Sequence, residues 1–191
     1  MVQKKAPSLI VLSAPSGAGK TTIAHAILAR HPQDLIFSVS ATTRAMREGE
    51  RDGIDYYYVT REKFEDLIRT GSLIEHEEIF GNYYGTPVAE IDRARQMGKR
   101  LVFDIDVKGG LSIRDKFPDD SMLIFIAPPD MHILEHRLRE RKTEPEETIR
   151  HRLERANMEM DWALDYDHIV VNDNLEEAIA DVEKIIFEPN P

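Results

Sequence analysis

The chain has 191 residues, with 35 acidic side chains against 25 basic ones, a formal net charge of −10 and no cysteine. That length suits one domain with a sizeable core, and the acidic balance argues against broad nucleic-acid or anionic-membrane binding, where clustered positive charge supplies most of the affinity. Without cysteine there are no disulfides or thiolate metal sites, which fits a cytoplasmic setting, and no apolar run is long enough to span a bilayer.

Residues 8–13 (SLIVLS) read as a short buried strand, and 21–30 repeat apolar residues at helical spacing. Between them runs Ala14-Pro15-Ser16-Gly17-Ala18-Gly19-Lys20-Thr21, a loop that turns backbone N–H groups inward to cradle phosphates at a helix N-terminus. Lys20 would reach the β and γ phosphates, and the Thr21 hydroxyl would ligate Mg²⁺. Ala14 stands where the motif has glycine, which is tolerable while φ stays negative. A strand is expected at 36–39. Residues 41–84 are polar, aromatic and strand-like around one helix (61–70, stopped by Gly71), and read as an inserted lobe. A helix over 88–97 follows Pro87 and stops at Gly98. Further strands are expected at 101–105, 122–126 and 168–171, and helices at 131–141, 146–163 and 175–187. Strands alternating with helices argue a parallel sheet covered on both faces. Residues 137–155 form a highly charged helical pair broken at Thr143-Glu144-Pro145, which reads as a flap. A phosphate loop with two peripheral segments suggests a kinase that closes over two substrates and excludes water.

Three clusters could carry the chemistry. Arg44 and Arg47 can converge on one anion, because guanidinium forks match phosphate oxygens, with Tyr56 and Tyr84 adding neutral hydroxyl donors; the alternative is two surface arginines in a loop. Asp104 and Asp106 lie two apart at the end of a strand, so both carboxylates face one way, where ligands bind in open α/β sheets; the alternative is a cap for a helix beginning at Val107. Arg137 and Arg141 lie one helical turn apart, and the bland reading of their run is a salt-bridged surface helix. His132-Ile133-Leu134-Glu135-His136 fits the H-x-x-E-H pattern of some zinc proteases, but nothing else in the chain supports a peptidase.

Taken in order, SAPSGAGKT, SVSATTRAMREGERDGIDYYYV, LIEHEEIFGNYYGTP, DIDVKGG, IFIAPP, RLRERKTEPEETIRHRL and IVVND closely resemble guanylate kinases over residues 9–187. The resemblance implies an α/β fold: a phosphate-loop NTPase-type parallel sheet flanked by helices, with an inserted mixed α/β GMP-binding lobe and a helical, arginine-rich lid. It divides the single domain into a core (8–40, 87–129 and 164–191), a GMP lobe (41–86) and a lid (130–163). It implies transfer of the ATP γ-phosphoryl to GMP with Mg²⁺, the partners being these two nucleotides and neither nucleic acid nor membrane. ATP would be held by Ala14, Pro15, Ser16, Gly17, Ala18, Gly19, Lys20, Thr21 and Thr22, with Asn172 and Asp173 on the adenine side. Ser40, Glu75 and Asp106 would hold the guanine of GMP and Arg44, Arg47, Tyr56 and Tyr84 its phosphate, with Thr86 also among the GMP-binding residues. Thr21 would hold Mg²⁺, with Asp104 acting through its water shell. Lys20, Arg44, Arg137, Arg141 and Arg152 would stabilise the transferred phosphoryl. Lys108 and Lys142 depart from the family's usual Gln and Gly. Two other functions stay open: a non-catalytic guanylate-kinase-like binding module, and a related kinase for another phosphorylated acceptor.

Overall fold

The computed structural model describes residues 6–79, 81–140 and 145–188. Five strands form a parallel sheet: β1 (Leu9–Ser13), β2 (Leu35–Phe37), β7 (Arg100–Asp104), β8 (Ser121–Ala127) and β9 (His168–Val171). Their order is β2-β7-β1-β8-β9, so β1 lies at the centre between β7 and β8. Side chains alternate across a strand, and both faces of this sheet are covered. Ile10, Leu12, Val102, Ile124 and Ile126 point into one core cluster, while Leu9, Val11, Leu101, Phe103, Leu123 and Phe125 point into another. This two-sided burial is why the strands read as continuous apolar runs rather than alternating ones. Each fully buried Leu, Ile or Phe contributes about 1.5–3 kcal/mol.

The first cluster packs against α1 (Lys20–Arg30), α5 (Met131–Glu140), α6 (Glu146–Asp161) and α7 (Leu175–Phe187). The second packs against α3 (Ala89–Gln96), α4 (Val107–Lys116) and the 3₁₀ turn Trp162–Asp165. Expected and observed boundaries differ by a residue or two at most ends. The strand expected at 36–39 ends instead at Phe37, and the buried Val39 N–H goes to the carboxylate of Glu90 at 2.8 Å rather than to a ladder partner. The helix expected over 146–163 gives way to the 3₁₀ turn at Trp162. That expected over 131–141 is α5, and Arg141 and Lys142 lie outside the described residues.

The chain between β2 and β7 forms a second sheet, of β3 (Ala41–Thr42), β4 (Tyr57–Tyr58), β5 (Leu73–Ile79) and β6 (Asn82–Pro87), ordered β4-β3-β6-β5. It has its own small core of Ala41, Phe64 and Leu73, with Phe64 supplied by α2 (Arg61–Arg69) and stacked on Tyr83. Thr60 caps α2 by accepting the Lys63 N–H, and Gly71 (φ 65°) ends it. No described helix is long and apolar enough to cross a membrane.

Candidate active site

The loop after β1 turns sharply into α1 with Gly17 and Gly19 at φ 96° and 94°. A side chain at Gly19 would be strained by that φ, and its Cβ would lie 2.3 Å from Nδ2 of Asn172. Ala14, in the motif's usual glycine position, is 6% exposed and packs its methyl group into the first core cluster. The departure from glycine therefore serves packing.

Asp104, at the end of β7, binds the two residues at the start of α1. The Thr21 hydroxyl donates to its Oδ2 at 2.6 Å, and the Lys20 ammonium pairs with its Oδ1. Lys20 also donates to the Ile105 carbonyl at 3.0 Å. Burial alone would push the Asp104 carboxyl up, but the Lys20 charge and the two donors outweigh it and hold the group below the usual carboxylate range. The capping role weighed for Asp104 is not the one the structure gives it. Thr21 and Asp104 are hard oxygen donors at the mouth of the loop, the type Mg²⁺ takes alongside substrate phosphates. Among the described residues no three acidic, His or Cys side chains form a protein-only metal cage. A Mg²⁺ ion here would thus take its remaining ligands from nucleotide phosphates and water.

Asp106 opens α4 and does cap it, accepting the Gly109 N–H on Oδ1 at 2.8 Å. The cap leaves its other oxygen facing the cavity side, where Arg155 of α6 donates to Oδ2 at 3.0 Å. Glu75, on β5, approaches from the second sheet: a Cβ built on Gly109 would lie 3.1 Å from both Asp106 Oδ1 and Glu75 Oε2. Two carboxylates, one from the second sheet and one from the start of α4, thus flank one glycine. Thr86, fully buried on the neighbouring strand, donates its hydroxyl to Glu75 Oε1 at 2.6 Å. Burial, reinforced by the charge of Asp106, pushes the Glu75 carboxyl up to about 7 despite the Thr86 bond. Ser40 is half-buried, and its carbonyl accepts the Tyr57 N–H at 2.9 Å.

Arg44 is held by Glu50, whose two carboxylate oxygens accept its guanidinium fork at 2.8 and 3.0 Å. The same carboxylate accepts the Arg47 N–H and the Tyr58 hydroxyl, each at 2.7 Å. The Arg44 fork, with these donors, pulls the Glu50 carboxyl down to about 2. The Arg44 guanidinium also lies 5.4 Å over the Tyr56 ring, and Tyr56 packs edge-on to Tyr84. Burial first, and then the charge of Asp104, push the Tyr56 phenol up, so it stays a neutral donor. Arg44, Tyr56 and Tyr84 therefore meet as expected. The Arg47 side chain is exposed beside them.

From the lid, Arg152 donates to the Ser16 hydroxyl of the phosphate loop at 3.0 Å. Arg137 donates to the Asn172 carbonyl at 3.1 Å. Asn172, expected on the adenine side, is turned inward: it is 5% exposed and its amide donates to the Ala18 carbonyl at 2.7 Å, bracing the loop. Asp173 beside it is exposed. Lys108 lies 5.7 Å over the Trp162 ring and 3.6 Å from Glu77. A cavity of about 350 Å³ separates the phosphate loop from α6, with Lys20, Thr21, Asp106, Arg152, Arg155 and Glu159 in its wall. Sequence reasoning missed Glu50, Glu90, Arg155 and Glu159. Only Arg155 left a signal, its place three residues past Arg152 on the same helix.

A phosphate loop at the central strand of a parallel sheet, an inserted lobe carrying a second sheet, and a basic helical flap define a phosphate-loop kinase of the type that closes over two substrates. The guanylate kinase family model matches residues 6–189. Guanylate kinases of Chlorobium luteolum and Chlorobium chlorochromatii are each 50% identical to this chain, over 90% of it and 86% of the former, and over 97% of both chains for the latter. The crystal structure of guanylate kinase from Anaplasma phagocytophilum superposes with a TM-score of 0.75 at 34% identity, covering 95% of this chain and 85% of that one. This chain belongs to the guanylate kinase family.

Proposed function

We propose that this chain transfers the γ-phosphoryl group of ATP to GMP, giving ADP and GDP. The observation that carries this reading is the pair of carboxylates, Glu75 and Asp106, flanking Gly109, with Asp106 also in the wall of the cavity at the phosphate loop. Guanine presents an acceptor, O6, beside two donors, N1–H and the 2-amino group. Ionised Glu75 and Asp106 accept those donors, and the Ser40 hydroxyl donates to O6. Adenine would set its N1 acceptor against a carboxylate and leave buried charge unsatisfied, a mismatch that sites of this kind reject by roughly 10⁴-fold or more.

Arg44, Arg47, Tyr56 and Tyr84 hold the GMP phosphate, whose oxygens suit the same Arg44 fork that Glu50 engages. On binding, the phosphate exchanges with or adds to that carboxylate. Lys20 and the loop N–H groups hold the β and γ phosphates of ATP. Mg²⁺, when bound with ATP beside Thr21 and Asp104, would neutralise phosphate charge. The GMP phosphate is already an anionic nucleophile, so the residues need to align it and balance charge rather than remove a proton. Arg137 and Arg152 supply charge from the lid; Arg141 is assigned the same task from the sequence alone. A cytoplasmic setting belongs to the same proposal, since a cysteine-free chain needs no oxidising compartment.

The test is ADP release from MgATP with GMP, AMP, UMP and a ribose bisphosphate as acceptors, beside an ATP-binding titration. Turnover with GMP alone supports the reading. ATP binding without turnover on GMP would favour another acceptor, and failure to bind ATP would favour the binding module.

A further inference from the structure

Arg155 makes three ionic contacts that join the lid helix to the base-reading end of the site. Its Nη2 donates to Asp106 Oδ2 at 3.0 Å and lies 3.7 Å from Glu77, while its Nε donates to Glu159 at 2.8 Å. With the Gly109 N–H on Oδ1, Asp106 is gripped on both oxygens, from α4 below and α6 above. Two donors on opposite oxygens fix the plane of a carboxylate, and they leave lone pairs directed into the cavity. Asp106 also shares its neighbourhood with the acids Glu75, Glu77 and Glu159, and Arg155 is the cation in contact with three of these four groups. Three residues earlier on the same helix, Arg152 touches Ser16. One helix thus reaches both the phosphate loop and the base carboxylate.

We propose that Arg155 is a positioning residue for base reading: it holds Asp106 in the orientation that accepts the 2-amino group of guanine, and thereby sets the preference for guanine over hypoxanthine nucleotides. This rests on the GMP reading above. The α4 cap holds one oxygen of Asp106 and leaves the carboxylate plane to be fixed by Arg155 on the other. Arg155 is a third exposed, while Glu159 beside it is 7% exposed, so Arg155→Gln also takes the cation from a buried acid and Arg155→Lys does not.

The experiment compares Arg155→Gln and Arg155→Lys with the parent chain in steady-state kinetics, using GMP and IMP as acceptors and titrating ATP separately. IMP lacks the 2-amino group and serves as the acceptor that Asp106 cannot read. For Arg155→Gln the KM for GMP rises about tenfold or more, the GMP-over-IMP ratio of kcat/KM falls by a similar factor, and the KM for ATP stays within about twofold. Arg155→Lys keeps the charge but loses the fork, and shows a smaller loss of the same ratio. It carries the test alone if the glutamine variant does not fold. An unchanged GMP-over-IMP ratio in the folded variants overturns the inference, as does an equal rise in the KM of GMP, IMP and ATP. If the parent chain itself does not phosphorylate GMP, the functional reading fails; if it does and the ratio is unmoved, only this inference fails.

Discussion

The Thr21 hydroxyl donates to Asp104 Oδ2 at 2.6 Å, across the gap between the start of α1 and the end of β7. Since Lys20 pairs with the other oxygen, one carboxylate holds both Lys20 and Thr21 of the phosphate loop in place. Lys20→Ala removes the cation that reaches the phosphates and strands Asp104 in a mostly buried place. Turnover falls by about 10²–10³-fold or more, and stability by about 1–3 kcal/mol. ADP release and a urea midpoint measure the two effects, and near-normal kcat would count against the assignment.

Glu75 gives the site a pH signature. Burial raises its carboxyl to about 7 in the free protein, whereas guanine needs it ionised, so kcat/KM for GMP falls as pH drops through about 7. Stability runs the opposite way. The folded state holds this proton more tightly than the unfolded chain, so the contribution is complete below the ordinary glutamate range and is lost as pH rises toward about 7. Glu75→Gln abolishes both dependences and raises the KM for GMP strongly. A pH–rate profile and pH-resolved melts would show it.

Arg44 meets Glu50 with both arms of its fork, the geometry that a phosphate also accepts. Arg44→Lys keeps the charge and loses the fork. The KM for GMP rises about tenfold while the KM for ATP is unchanged. Separate titration of the two substrates distinguishes this from a general loss.

Glu90 is 2% exposed and accepts the Val39 N–H, the Tyr57 hydroxyl and two nitrogens of Arg93. It joins α3 to the chain entering the second sheet, one residue before Ser40. Glu90→Ala orphans these donors and costs about 3 kcal/mol or more. Chemical denaturation reads the loss directly.

Local chemistry made much of this legible in the sequence. Gly17, Gly19, Lys20 and Thr21 announce the phosphate loop because a few consecutive residues carry its whole geometry. Strands such as 101–105 were readable because both faces of the sheet are covered, which leaves no polar alternation to confuse the pattern. The second sheet was harder: β3 and β4 have two residues each, too few for a period. The partners of Glu90 and Arg155 lie 51 and 49 residues away at Val39 and Asp106, and no local pattern encodes such pairs. Asp106 shows the limit in another form. The cap, posed in the sequence as the alternative to base reading, uses only Oδ1, and three-dimensional placement leaves Oδ2 on the cavity side with Arg155.

The most direct test follows the phosphoryl group itself. With ATP labelled at the γ position, Mg²⁺ and equal concentrations of GMP and AMP, the account expects label to appear in GDP, with none in the adenine acceptor above background. Label released as inorganic phosphate, or carried to AMP as readily as to GMP, would contradict it.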